Sequence, residues 1–152
     1  MKNKLKQITN NAKETQKLGK ELAENVLKLK PLKTAVIIGF EGDLGSGKTT
    51  FLQGFAKGLG IKEKILSPTF VILKHLKITK SRYTDFYHVD CYRLKKKEEL
   101  LGLGFKKIVS NPSNIVAIEW VGQIKKILPR KTIFVSFKFI KENKREITIN
   151  NF

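Results

Sequence analysis

The stretch EGDLGSGKTT, residues 41–50, directly follows the apolar run AVIIGF at residues 35–40. It satisfies the pattern G-x-x-x-x-G-K-[ST] through Gly42, Gly47, Lys48 and Thr49, and it lies between a predicted strand and a predicted helix. Glycines here and at Gly45 permit positive φ, so backbone N–H groups can converge on an anion at the positive end of the helix. The stretch therefore predicts a phosphate-binding loop within an α/β fold.

Each part of the predicted loop has an expected role toward a nucleotide. Lys48 supplies a mobile positive charge for the β- and γ-phosphates, and Thr49 offers a hydroxyl to Mg²⁺. The loop backbone surrounds the phosphates through Gly42, Asp43, Leu44, Gly45, Ser46 and Gly47. No N-K-x-D or T-K-x-D motif, which would recognise guanine, occurs in the chain, so we expect ATP as the nucleotide.

The rest of the chain alternates between short apolar runs and amphipathic segments. Strands are predicted at residues 34–40, 70–76, 82–90, 114–120, 132–140 and 145–152, and helices at residues 13–30, 47–60, 95–104 and 121–128. In the fifth strand, Ile133, Val135, Phe137 and Phe139 share one face. We expect one domain, residues 1–152, with a three-layer P-loop NTPase-like α/β fold around a mixed, mostly parallel central sheet.

Two carboxylates are placed to complete a nucleotide site. Glu119 follows the apolar run IVAI and Asp90 closes the run FYHVD, so each is expected at the carboxyl end of a strand. Open α/β sheets bind their ligands at that edge, and magnesium–nucleotide chemistry needs acids that hold the ion and position a nucleophile. Both acids are therefore predicted catalytic and metal-binding residues, and the sequence leaves open which of them ligates Mg²⁺.

Composition bounds the possible partners and location of the chain. Its 152 residues carry a formal net charge of +18, which favours approach to a polyanion such as RNA. Only four of the 31 basic residues are arginines and the lysines are spread evenly, so a general lysine richness explains the charge equally well. Its lone cysteine, Cys91, excludes an intrachain disulfide. Without an apolar stretch of bilayer length or a signal-like N-terminus, we expect a cytoplasmic protein with no membrane partner.

Four stretches occur in an order that identifies a family. They are GDLGSGKTT at residues 42–50, SPTF at 67–70, HVDCYRL at 88–94 with EELLGLG at 98–104, and IEW at 118–120 followed by ILP at 127–129. Together they closely resemble the TsaE family of small P-loop ATPases, which bacteria require to make threonylcarbamoyladenosine in tRNA. The resemblance implies an ATPase that works with two partners, TsaD and TsaB. ATP hydrolysis is expected to reset the complex of these proteins between rounds of modification. The chain is expected to meet tRNA directly or through that complex.

The resemblance also implies roles for individual residues. Thr50 is expected near the α-phosphate, Thr69 in a switch-like loop facing the γ-phosphate, and Trp120 beside the nucleotide. Asp90 and Glu119 match the family's acidic pair for metal and water. The chain departs from the family pattern at residues 105–108. Family members often have an acidic residue after LGLG, whereas this chain has FKKI, which makes the surface basic there.

Two other function classes share some of these features. A small-molecule kinase has a similar loop and fold, but such enzymes usually carry an arginine-bearing lid, and residues 94–100 offer only lysines. A nucleic-acid-binding module would use the lysines without a nucleotide and would show steeply salt-dependent RNA binding. Because none of the four arginines lies in an obvious finger segment, we expect the isolated ATPase to be slow and stimulated by its partners.

Overall fold

The computed structural model describes residues 3–43, 45–66, 72–79 and 81–152. Within these ranges the chain forms a sheet of seven strands with helices on both faces. The strands are β1 (Lys4–Thr9), β2 (Val36–Glu41), β3 (Leu73–Lys77), β4 (Asp85–Asp90), β5 (Asn114–Glu119), β6 (Ile133–Lys141) and β7 (Lys144–Asn150). The helices are α1 (Ala12–Leu27), α2 (Lys48–Gly58), α3 (Lys97–Leu101) and α4 (Phe105–Ser110), with 3₁₀ segments η1 (Val121–Gln123) and η2 (Lys125–Ile127).

The sheet is mixed, and its centre is parallel. The strand order is β1-β7-β6-β2-β5-β4-β3. Strands β6, β2, β5 and β4 run parallel, whereas β3, β7 and β1 add antiparallel pairs at the two sides. The carboxyl ends of β2, β4 and β5 therefore meet at one edge, and the loop that follows β2 lies there.

Strands β2 and β5 lie at the centre because their residues are apolar on both faces. In β5 the segment from Ile115 to Ile118 is almost completely buried, and in β2 the segment from Val36 to Phe40 is buried as well. A strand that is covered on both faces cannot alternate between apolar and polar residues. A continuous apolar run is therefore the pattern of a buried parallel strand. This confirms the predicted α/β fold class.

Two helical layers cover the sheet. The first helical layer, α1 and α2, packs on one face through Leu18, Leu22, Phe51 and Phe55. The second helical layer, which comprises α3, α4, η1 and η2, packs on the other face through a cluster that includes Leu100, Phe105, Val121 and Ile124. None of the described helices is both long and apolar enough to cross a membrane.

Helix α1 begins with a side-chain cap at Asn11. The Asn11 side chain accepts a hydrogen bond from the Glu14 backbone N–H at 2.8 Å. The Glu14 carboxylate accepts one from the Asn10 N–H at 2.6 Å, so the two side chains satisfy free donors at the helix start. The helix then ends at Leu27, three residues before the end of the predicted segment.

Strand β1 has no counterpart among the predicted elements. Residues Lys4–Thr9 pair antiparallel with β7 along the sheet edge, and most of their side chains are exposed. An edge strand with few buried residues lacks the apolar alternation that predicts strands, so its existence depends on the backbone of β7.

The predicted helix at residues 121–128 was wrong, since these residues form the two 3₁₀ segments. Val121 and Ile124 are the buried members, and their spacing of three matches the three residues per turn of a 3₁₀-helix. Val121 packs against Gly39, where an added Cβ would lie 2.8 Å from Val121 Cγ2. This close approach holds the segment against β2 in a tight turn.

Phe139 also differs from the expectation. Ile133, Val135 and Phe137 are buried, whereas Phe139 is 56% exposed beside an irregularity between Phe139 and Lys141. The register shift releases the end of β6 from the core, and the Phe139 ring instead contacts the Arg145 guanidinium.

Candidate functional site

The glycine loop between β2 and α2 has the backbone that its sequence predicts. Gly42, Gly45 and Gly47 adopt positive φ angles of 148°, 74° and 104°. At Gly42 an added Cβ would lie 2.7 Å from Ser46 Oγ and 2.9 Å from the Phe137 carbonyl oxygen, so conformation and space both require glycine. Gly47 is the N-cap of α2, and the first turn of that helix faces the loop.

Lys48 lies folded into the loop. Its ammonium group donates hydrogen bonds to the carbonyl oxygen of Gly42 and, at 2.9 Å, to that of Asp43. Burial lowers the pKa of Lys48, while the nearby carboxylates of Glu119, Asp43 and Asp90 oppose that shift. The loop thus holds a largely buried cation whose bonds to carbonyl oxygens could be exchanged for bonds to phosphate oxygens.

A depression of about 220 Å³ opens above the loop. Its lining includes the loop and the first turn of α2 from Gly45 to Thr50, together with Glu119, Trp120 and Arg145. The Ser46 hydroxyl at this site is buried and has no hydrogen-bond partner among the described residues. A buried donor without a partner fits a site completed by a bound polar group.

Glu119 and Asp90 are neighbours across two parallel strands. They are register partners at the carboxyl ends of β5 and β4. Alternation along β5 and β4 places both side chains on the sheet face that α2 covers, beside Lys48. Each acid ends its strand, as the sequence predicts, and their catalytic and metal-binding roles stay predictions.

A buried histidine binds one of the two acids. His88 Nε2 lies 2.7 Å from Glu119 Oε2, and the two side chains are 1% and 4% exposed. This hydrogen bond fixes one oxygen of Glu119 and leaves the other for the depression. His88, the first residue of the stretch HVDCYRL, therefore has a structural role as the hydrogen-bond partner of Glu119.

Asp90 is held by the chain that follows it. Its Oδ1 accepts a hydrogen bond from the Tyr92 N–H at 2.9 Å, and the Cys91 N–H donates to the Glu119 carbonyl oxygen at 3.0 Å. Burial raises the pKa of Asp90; the Tyr92 N–H opposes that shift and the negative charge of Glu119 adds to it. Glu119 lines the depression, and Asp90 lies beside it.

Trp120 covers the lysine from the other side. The Lys48 ammonium lies 4.1 Å from the centroid of the indole ring, within the range of a cation–π contact. Trp120 has a left-handed backbone with φ of 58°, uncommon for a bulky residue. Its ring also lies 4.9 Å from that of Tyr92, so the site has an aromatic wall.

Residues 9–147 match the family described as "Threonylcarbamoyl adenosine biosynthesis protein TsaE". The chain belongs to the TsaE family. A "tRNA threonylcarbamoyladenosine biosynthesis protein TsaE" from Rickettsia felis is 41% identical over 143 residues, which are 93% of this chain and 77% of the relative. One from Treponema pallidum is 36% identical over 118 residues, 78% of this chain and 84% of the relative. The crystal structure of Bacillus subtilis YdiB superposes with a TM-score of 0.68 at 32% identity, covering 99% of this chain and 86% of that one.

Within this TsaE-family chain, the structure brings most of the predicted nucleotide-binding residues together. Lys48, Thr49, Thr50, Glu119 and Trp120 line one depression. The side chain of Asp43 is exposed, and its carbonyl oxygen accepts from Lys48. Leu44 and Thr69 lie outside the described residues. The roles of all these residues toward a nucleotide stay predictions.

Sequence reasoning missed Arg145, since the last two strands of this TsaE-family chain carry no motif. Arg145 Nη2 donates to the Gly45 carbonyl oxygen at 3.1 Å, and the guanidinium carbon lies 4.8 Å from the Phe139 ring centroid. Its Nε is buried without a partner among the described residues. Only the pairing of β6 with β7 brings this arginine to the loop, 100 residues away in sequence.

The residues present fit a magnesium ion held together with nucleotide phosphates. Mg²⁺ usually takes one or two carboxylates, phosphate oxygens and waters instead of an all-protein cage. The described residues contain no group of three or more His, Cys, Asp or Glu side chains that could hold a metal. The predicted set of Thr49, Asp90 and Glu119, two acids and a hydroxyl, would leave room for phosphate oxygens, and its role toward Mg²⁺ stays a prediction.

Proposed function

We propose that this chain is a Mg²⁺-dependent ATPase subunit of tRNA threonylcarbamoyladenosine biosynthesis. The relatives that share its family carry that biosynthetic role in their names. The observation that carries the ATPase proposal is the convergence of Lys48, the first turn of α2 and Glu119 on one depression. A phosphate cradle alone would bind an anion, whereas a cradle beside a positioned carboxylate also has a group that can act on water.

The phosphate chain of ATP would occupy the depression above the glycine loop. The N–H groups of the loop and the N-terminal end of α2 would surround the β-phosphate. Lys48 would exchange its bonds to the Gly42 and Asp43 carbonyl oxygens for bonds to the β- and γ-phosphates. Thr49 and Asp90 would hold Mg²⁺, which would neutralise charge that develops on the phosphates.

Hydrolysis would use the free oxygen of Glu119 to orient the attacking water. The bond from His88 to the other oxygen holds this carboxylate in place, so water would be held in line without reorganisation of the acid. The Trp120 ring, which lies over the Lys48 ammonium group, would limit access of bulk water to it. Asp90 is the alternative acid for this role, since it lies next to Glu119 in register.

We further propose that the ATPase acts in the cytoplasm on a complex of TsaD-like and TsaB-like proteins. Hydrolysis would reset that complex between rounds of tRNA modification, and the isolated subunit would turn over slowly. Arg145 supplies one cation at the loop in cis, but its hydrogen bonds to Gly45, Lys141 and Lys144 hold it to the protein backbone. A partner that frees or supplements this arginine would accelerate hydrolysis.

The test is phosphate release from Mg-ATP by the purified chain, alone and with TsaD-like and TsaB-like proteins plus tRNA. We expect slow release by the chain alone, faster release with the partners, and none from a Lys48→Ala variant. ATP binding without phosphate release in every combination would contradict the proposal. Transfer of the γ-phosphate to an added small-molecule acceptor would instead establish the kinase alternative.

A further inference from the structure

The depression above the glycine loop is small for a whole nucleotide. It measures about 220 Å³, whereas pockets that enclose a small ligand usually measure about 300 to 1,000 Å³. Its lining of loop backbone, helix start and charged side chains suits phosphates. The nucleoside of a bound ATP therefore has to lie on a surface beside the depression.

The two sides of the loop differ in chemistry. Strand β2, which leads into the loop, has β5 and β4 on one side and β6 and β7 on the other. Glu119 and Asp90 end β5 and β4 and form the acidic side, whereas Arg145 reaches the loop from the hairpin side, β6 and β7. In the proposed mechanism Glu119 orients the attacking water, so the γ-phosphate lies on the acidic side. The α-phosphate and the nucleoside then extend toward the hairpin side.

Each side of the loop carries one exposed aromatic ring. Of the aromatic residues that the structure describes, Tyr92 and Phe139 are the two with exposed side chains, at 49% and 56%. Tyr92 lies on the acidic side, where its ring packs against that of Trp120. Phe139 lies on the hairpin side as the register partner of Arg145. The direction of the phosphate chain therefore favours Phe139 as the ring that meets the base.

Arg145 holds the Phe139 ring beside the loop. The guanidinium carbon lies 4.8 Å from the ring centroid. Nη1 donates to the carbonyl oxygens of Lys141 and Lys144 at 3.1 and 3.2 Å, and Nη2 donates to that of Gly45 at 3.1 Å. The guanidinium is thus bound to the hairpin and to the loop at once. These contacts fix an aromatic ring with a free surface next to the site of the phosphates.

We propose that the exposed surface of Phe139 is the base subsite of the nucleotide site, a placement that rests on the proposed function. The base stacks on the ring, the α-phosphate and ribose pass Arg145, and the β- and γ-phosphates lie in the loop. Stacking uses the π face that every base has, so preference among bases follows stacking strength instead of the hydrogen-bonding edge. The subsite therefore takes a purine more tightly than a pyrimidine.

The experiment separates the base from the phosphates by comparing two ligands of the full chain. Isothermal titration calorimetry measures the Kd of Mg-ATP and that of Mg-tripolyphosphate, which has three phosphates and no nucleoside. The test variant is Phe139→Ala. Its matched control is Ile140→Ala, because Ile140 is the next residue of the same hairpin and is 41% exposed. Circular dichroism and the Tm verify that the variants fold.

Alanine substitution of a stacking ring weakens base binding by about 5-fold or more. We expect Phe139→Ala to raise the Kd of Mg-ATP by about 5- to 20-fold and to leave that of Mg-tripolyphosphate within about twofold. Phe139→Tyr keeps the ring and should restore the wild-type ratio of the two Kd values, and Ile140→Ala should leave that ratio within about twofold. Mg-CTP should bind the wild type more weakly than Mg-ATP, and Phe139→Ala should reduce this difference.

Tyr92→Ala tests the opposite side of the loop. A selective loss of Mg-ATP affinity in this variant, with none in Phe139→Ala, would overturn the proposal, because the base would then lie on the acidic side. Equal losses of both ligands in Phe139→Ala, or no loss, would overturn it as well, since the ring would then only support the loop or contact nothing.

The wild-type chain distinguishes this proposal from the proposed function. Binding of Mg-tripolyphosphate as tight as that of Mg-ATP would overturn the base subsite and leave the phosphate site intact. A wild-type chain that binds neither ligand would refute the proposed ATPase function itself, and the base subsite with it.

Discussion

Gly54→Ala should destabilise the domain, because α1 and α2 approach each other too closely for a side chain at this position. An ideal Cβ at Gly54 would lie 1.9 Å from the carbonyl oxygen of Gln16 and 2.6 Å from its carbonyl carbon. Both atoms belong to the backbone of α1, so no rotamer change can relieve the clash. Ordinary contact begins at 3.4 Å, and the helices must therefore separate locally by about 1.5 Å.

The size of the effect follows from two opposing terms. Alanine favours the helix over glycine by about 1 kcal/mol. Overpacking costs about 1 to 3 kcal/mol, and a rigid backbone obstacle places this site near the upper end. We expect a net loss of about 2 kcal/mol in the free energy of unfolding, which corresponds to a fall in Tm of about 4 to 8 °C for a domain of this size.

Urea unfolding followed by circular dichroism, together with calorimetry, measures both quantities. The matched control is Gly122→Ala, because no atom lies within 4 Å of its added Cβ and its backbone has no positive φ. We expect the control to stay within about 0.5 kcal/mol of the wild type. A Gly54→Ala variant as stable as the control would refute the argument that this glycine is required by close helix packing.

Four further predictions concern the candidate site and its surroundings. Glu119→Gln should keep Mg-ATP binding within about twofold while lowering phosphate release by about 100-fold or more, and equal losses of both would count against its role in orienting water. His88→Ala removes the partner of a buried carboxylate, so we expect the free energy of unfolding to fall by about 1 to 3 kcal/mol; an unchanged urea midpoint would show that the bond contributes nothing. Arg145→Gln should raise the Kd for Mg-ATP by about tenfold in a fluorescent-nucleotide titration, since it removes a cation from the loop; an unchanged Kd would limit Arg145 to joining the hairpin to Gly45. Burial raises the pKa of the Cys91 thiol to about 12, so at pH 8 its reaction with a disulfide reagent should be at least about 100-fold slower in the native than in the urea-unfolded chain, and comparable rates would show that the thiol is accessible.

Local sequence was enough to predict the backbone of the glycine loop and the buried central strands. Gly42, Gly45 and Gly47 have positive φ angles, which glycine adopts at little energetic cost because it has no Cβ. The Asn11 cap and the buried strands β2 and β5 likewise depend on neighbours in the chain and on burial. A structural feature whose physical cause lies within a few neighbouring residues can be predicted directly from the sequence.

The tertiary structure decided what distant segments contribute. Strand β1 exists because β7 offers it a backbone edge, and the segment at residues 121–128 turns tightly because Val121 must reach Gly39. Arg145 reaches the glycine loop by way of the β6–β7 hairpin. No periodicity or spacing encodes these contacts.

The sequence by itself determined the glycine loop, the acids at the strand ends and the family to which they belong. Only the fold decided that His88 holds Glu119 and that Trp120 covers Lys48. The physical reason is the range of the interactions. Backbone conformation and strand burial are set by adjacent residues, whereas hydrogen bonds, ring contacts and surface charge depend on which elements the packed sheet brings together.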